Sequence, residues 1–191
     1  VASETLVGLS EGVLAEAFGT ILIATEGELR TGETDETPLR AARAWRELTS
    51  GYGVDVEALF KTFDADGYDE MIALAGVPYV SLCEHHLLPF TGKAHVVYIP
   101  RERLIGLSKI PRVIQAYARR LQVQERLTSQ VARALQDNLD PIGLLVVVEG
   151  VHSCMCNRGA RSDGVMRTSV TKGGMRDNVA TRAEAMSLIG L

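Results

Sequence analysis

Val77-Pro78-Tyr79-Val80-Ser81-Leu82-Cys83-Glu84-His85-His86 decides the reading of this chain, because an apolar run with strand character leads straight into a cluster of reactive side chains. Working outward, Ala94 to Ile99, Leu104 to Leu107 and Leu144 to Glu149 are runs of the same kind. Each is rich in β-branched residues and bounded by Gly, Pro or charge, so each reads as a strand. Two helical periods separate the third run from the fourth. Ser108 is a plausible N-cap for a stripe of Ile110, Val113, Ile114, Tyr117 and Leu121. Val123, Leu127, Val131, Leu135 and Leu139 form the second stripe, which ends before Pro141. The order predicts an α+β domain, an antiparallel sheet with two helices on one face.

Upstream, the pattern is helical. Leu6, Leu9, Val13, Ala17, Phe18, Ile21 and Leu22 recur at helical spacing, and Thr25 to Glu36 is a polar loop. Thr37-Pro38 is a start signal, Thr as N-cap and Pro at the first helical position. The helix it opens buries Ala41, Ala44, Trp45 and Leu48 and stops at Gly51, and Asp55 caps a short helix through Phe60. The change of pattern near residue 70 divides the chain into an N-terminal helical segment, 1–70, and an α+β domain, 71–191.

Composition bounds the function. With 46% hydrophobic residues in 191, the chain can build a core. A net charge of −4, with Lys and Arg interspersed among acids, argues against a nucleic-acid or anionic-membrane surface but leaves room for a local phosphate pocket. The longest apolar run, Leu144 to Val148, is too short to span a bilayer. Three sparse cysteines without a secretory segment read as reduced thiols in the cytoplasm.

Three of the four histidines and all three cysteines crowd into Ser81–His86 and His152-Ser153-Cys154-Met155-Cys156, each directly after a predicted strand. A thiolate from each segment with one imidazole suits zinc, and three protein ligands leave a fourth position open, as in catalytic sites. The remaining histidines would be proton shuttles. A buried Cys is more often a small hydrophobe, and Cys-x-x-His alone is a common spacing, so spacing leaves metal and packing both open. His95 stands in a strand pattern with no partner and reads as structural.

Longer strings narrow the choice. Ser81-Leu82-Cys83-Glu84-His85-His86-Leu87-Leu88-Pro89-Phe90, then Gly92-Lys93-Ala94-His95-Val96, resembles the signature of GTP cyclohydrolase I. Ile105-Gly106-Leu107-Ser108-Lys109-Ile110 and Arg119-Arg120-Leu121-Gln122-Val123-Gln124-Glu125-Arg126-Leu127-Thr128 are similar to the same family. The resemblance implies a tunnelling fold, in which sheets from several subunits close into a barrel, and a homo-oligomer, usually a decamer, with active sites at subunit junctions. It implies Zn2+ held by Cys83, His86 and Cys154, and a catalytic set of His85, His152, Glu84 and Ser108. Gln124 and Glu125 fall at guanine-pocket positions, and Lys109, Arg112, Arg158 and Arg40 at triphosphate positions. The implied reaction hydrolyses GTP at C8, releases formate and yields 7,8-dihydroneopterin triphosphate.

Other readings share these residues. One is a paralogue that takes another purine nucleotide or halts at the ring-opened formamide. Another is a non-catalytic purine- or pterin-binding ring, against which the two uncoordinated imidazoles argue. The nitrile-reducing branch of the fold lacks the Cys83-Glu84-His85-His86 pattern. The chain departs from the family at Cys156, Asn157 and Val165 to Val170. Cys156 would share a strand face with Cys154 if the strand continued, and Arg167 reads as a phosphate contact or a surface charge.

Overall fold

The structure, a computed structural model, describes residues 10–191. Its first helix, α1 (Glu11–Glu26), starts behind Ser10, whose hydroxyl accepts from the Val13 N–H, so Leu6 and Leu9 of the predicted stripe lie outside the described residues. It packs on α2 (Thr37–Leu48) through an edge-on contact of Phe18 with Trp45, centroids 6.0 Å apart. The predicted start of α2 shifts by one residue. Glu36 takes the cap position and Thr37 is already helical, with Pro38 in the first turn, where a missing N–H is harmless. Ala42 is the buried alanine of this helix, while Ala44 is exposed. Asp55 accepts from the Ala58 N–H and opens a short 3-10 turn, Glu57–Leu59, as expected.

Strands then dominate. β1 (Thr62–Asp64), β2 (Ile72–Cys83), β3 (Pro89–Ile99) and β4 (Arg103–Ile105) precede α3 (Lys109–Ala118), β5 (Leu121–Gln122) and α4 (Gln124–Leu139). β6 (Gly143–His152), the one-turn α5 (Ser153–Cys156), β7 (Met166–Gly173), α6 (Gly174–Asp177) and α7 (Val179–Leu188) complete the chain. β1 pairs with β4 in a small ribbon, and the main sheet has the order β5-β2-β3-β6-β7. The sheet is antiparallel except at β5, which runs parallel to β2 through Leu82↔Leu121 and Cys83↔Gln122. Leu121, expected on the helical stripe, therefore belongs to this strand.

Alternation along β3 and β6 divides the core. Val96, Tyr98, Leu144, Val146 and Val148 face α3 and α4, where they meet Ile110, Ile114, Leu127, Val131 and Leu135. Val97, Leu145 and Val147 face the other way and are covered by Met175, Ala185 and Ile189. The two predicted helices do share one face; the C-terminal helices, which the pattern did not reveal, cover part of the other. Burial on both sides explains why Leu144 to Val148 is apolar without alternation, each residue at most 2% exposed. Among the described residues no helix is long and apolar enough to cross a membrane.

Candidate metal centre and active site

The β2–β3 hairpin and the end of β6 meet at one end of the sheet. Cys83 closes β2, and its N–H donates to the Leu88 carbonyl at 2.8 Å while its own carbonyl accepts from Leu87 at 2.8 Å. Leu87 takes φ +56 to complete this tight turn. β3 then leaves antiparallel to β6, in a register that sets Phe90 opposite His152. Cys154 follows two residues on, and all three cysteines are free thiols.

This topology brings Cys83, His86 and Cys154 together, with their ligand atoms all within 4.8 Å of one another. Cys83 Sγ lies 3.6 Å from His86 Nδ1. Burial, then the neighbouring Cys83, push the Cys154 thiol up, with Arg158 acting in the opposite sense. Two thiols and an imidazole crowded this way form a soft donor set that a zinc-like dication fits.

Two further imidazoles, His85 and His152, lie next to these donors along the chain. His152 lies face to face on Phe90, centroids 4.6 Å apart and planes within 6°. Burial pushes its pKa below the ordinary value, while the Gly150 carbonyl and the charge of Glu125 pull the other way. His85 is exposed, with Nε2 3.7 Å from Glu84 Oε1. Glu84, expected in the catalytic set, has both oxygens occupied by Arg126, and that hydrogen-bonded guanidinium holds its carboxyl below the usual range. Sequence reasoning missed Arg126, because only the fold sets it beside Glu84.

Gln124 is buried at the start of α4, and among the described residues its Oε1 has no hydrogen-bond partner. It is 1% exposed, and its Nε2 donates to the Val148 carbonyl at 3.0 Å, the Met166 carbonyl at 3.1 Å and Thr168 Oγ1 at 3.2 Å. Its amide therefore braces α4 against β6 and β7, while Glu125, the next residue, is exposed.

The remaining phosphate candidates stand apart within one chain. β3 runs away from the metal end, and β4 leads from its far end into α3, whose C-terminus returns to β5 beside Cys83. Ser108 and Lys109 are thus separated from the C-terminal end of α3 by nearly its whole ten-residue length, about 15 Å at 1.5 Å per residue, and Arg112 by about 9 Å. The Ser108 side chain makes no capping bond, so it flanks α3 without acting as the predicted cap. Arg40 lies on α2, where it pairs with Glu36.

Three features that the sequence left open find their place. His95 accepts from the Gly76 N–H at Nδ1, which leaves Nε2–H to donate to Glu149 at 3.2 Å, a buried structural role with a partner after all. Arg167 donates to the other oxygen of Glu149 at 2.6 Å, not to an open phosphate site. β6 ends at His152 and residues 153–156 turn helically, so Cys154 and Cys156 do not share a face, being about 200° apart at the helical 3.6 residues per turn.

The profile of the GTP cyclohydrolase I family matches residues 14–190. The chain belongs to the GTP cyclohydrolase I family. Among curated relatives, GTP cyclohydrolase 1 of Pelotomaculum thermopropionicum is 50% identical over 155 residues, covering 80% of this chain and 82% of that protein. The namesake from Desulforamulus reducens is 51% identical over 158 residues, 81% and 84% of the two chains. One from a Synechococcus strain is 46% identical over 184 residues, 95% of this chain and 80% of its own. A solved structure of an archaeosine synthase, QueF-Like, in the apo form covers 55% of this chain and 94% of its own, at 17% identity and a TM-score of 0.45.

Proposed function

We propose that this chain is a zinc-dependent GTP cyclohydrolase, which opens the guanine imidazole at C8, releases formate and rearranges the rest to 7,8-dihydroneopterin triphosphate. The observation that carries the proposal is the donor set Cys83, His86 and Cys154, with two further imidazoles beside it, in a chain of this family. A purely structural zinc site has no use for those extra imidazoles. When bound, zinc would supply an activated water by lowering its pKa toward ~7.

The protein's own groups do the rest. His85 and His152 move protons to and from the ring nitrogen whose bond to C8 breaks. Burial lowers the His152 pKa, which favours the form that accepts one. Glu125 grips the guanine edge, since a carboxylate matches two adjacent N–H donors. The charge of Glu125 is felt at His152, which supports a reading with base recognition beside the proton shuttle.

The phosphate groups call for a second subunit. Ser108, Lys109, Arg112 and Arg40 stand away from the metal end of their own chain, whereas Arg158 acts on Cys154. A site shared between subunits, with the cluster from one chain and the start of α3 from another, reconciles this separation with a single nucleotide. The N–H groups opening α3 would then add to triphosphate binding. The sheet supports such an assembly. Among the described residues β7 has no strand beyond it, and β2 is covered only at Leu82 and Cys83. Open edges of this kind are covered when neighbouring sheets join into a barrel. The same proposal includes the decamer, the cytoplasmic setting, and the division at residue 70, with β1 lent by the first segment to β4.

Mixing tests the shared site. Subunits carrying Cys83→Ser and subunits carrying Arg112→Ala, each inactive alone, should regain GTP turnover after joint refolding. No recovery in mixed oligomers would place the whole site in one chain. Product analysis tests the chemistry, with a pterin expected and a formamidopyrimidine marking a halted reaction.

A further inference from the structure

We infer that Arg126 is a positioning residue, a strap that sets the metal-binding turn at a fixed distance from the base-recognising start of α4. The inference rests on the functional reading above and deepens it. Arg126 Nη2 donates to Glu84 Oε1 at 2.8 Å and Nη1 to Glu84 Oε2, a two-pronged contact between residues 42 apart in sequence. Glu84 sits between Cys83 and the two histidines of the turn, and its N–H donates to the Gln122 carbonyl at 3.0 Å. The same Oε1 is 3.7 Å from His85 Nε2. The strap therefore reaches the metal turn and the exposed imidazole together.

On the other side of the helix start, Gln124 is anchored inward to Val148, Met166 and Thr168. Its neighbours hold Glu125 from both sides, and the Glu125 side chain makes no hydrogen bond or ion pair of its own among the described residues. Only a planar fork can meet both oxygens of Glu84 at once; an ammonium meets them as a point charge. A half-exposed pair contributes little to global stability. Loss of the strap should therefore appear in site geometry and leave the fold intact.

The test compares Arg126→Met, Arg126→Lys, Glu84→Gln and the Glu84→Gln/Arg126→Met double variant. Zinc affinity is read by chelator competition without nucleotide. Kcat and KM are read with GTP and with inosine triphosphate, which lacks the exocyclic amine that Glu125 would grip. Outer contacts of metal sites typically set affinity by ~10-fold or more, so Arg126→Met should weaken zinc by about that factor. It should also narrow the preference for GTP over inosine triphosphate, with Arg126→Lys recovering only part. The double variant should be no worse than Arg126→Met alone, with melting temperatures unchanged. Wild-type zinc affinity and base preference in Arg126→Met, or additive losses in the double variant, would overturn the strap. If Arg126→Met does not fold, Glu84→Gln, which keeps the side-chain volume, makes the same comparison. A wild-type protein inert toward GTP would sink the cyclohydrolase reading, and the zinc arm would still decide on Arg126.

Discussion

Phe90 and His152 stack face to face, ring centroids 4.6 Å apart and planes 6° from parallel. The β3–β6 register opposes these two residues, and Tyr79 braces Phe90 from its edge at 5.9 Å. The orientation of the His152 imidazole is thus written into strand pairing.

Phe90→Leu keeps most of the buried volume and removes the stack. The loss should cost about 1 kcal/mol of stability, as aromatic pairs typically do. Turnover should fall further than stability, because His152 loses its fixed plane. Urea unfolding alongside kcat for GTP checks this; an unchanged kcat would show that the stack does not orient the imidazole.

Gln124 separates a structural from a recognition role. Gln124→Met removes the buried amide donor shared by the Val148 and Met166 carbonyls, at a cost of about 1–3 kcal/mol. The variant should lose melting temperature as well as activity. Weakened GTP binding with full thermal stability would restore the residue to the nucleobase.

Acid stability should run through Glu149. Arg167 first, and His95 after it, hold this carboxyl below its ordinary 4.5. The unfolded chain then binds more protons than the folded one in that window. The pair's contribution is therefore present above about pH 4.5 and is lost as pH falls through the folded value. Glu149→Gln should be less stable at neutral pH, by about 1 kcal/mol or less after solvent screening, and should show a flatter acid limb. Unfolding midpoints from pH 3 to 7 would reveal it, and parallel curves for both proteins would contradict it.

The cysteines should separate cleanly. Cys83→Ser and Cys154→Ser should each lose bound zinc and nearly all activity while keeping the assembly. Cys156→Ser, on the far side of the α5 turn, should keep both. Metal content by mass spectrometry of the native protein decides between these outcomes.

Much of this was legible because burial leaves a period. Val77 to Leu82 and Ala94 to Ile99 read as strands, and the stripes of α3 and α4 gave their shared face. β7 was hidden because only Met166 and Val170 are apolar in an otherwise polar edge strand. α7 carried a signal that went unused: Asn178 accepts from the Ala180 and Thr181 N–H groups as an N-cap. The chemistry-bearing residues were visible from the strings around Cys83 and His152. The partners of Glu84, Gln124 and His95 were not, since each lies at least 19 residues away and only pairing of distant strands and helices creates the contact.

The most direct test of the central claim is a zinc titration of chelator-stripped protein, with formate release from GTP followed at each step. Formate production, matched by pterin absorbance, should rise linearly and break at one zinc per subunit. Full formate release without zinc, or one tightly bound zinc per subunit with no formate at all, would contradict the assignment of catalysis to Cys83, His86 and Cys154.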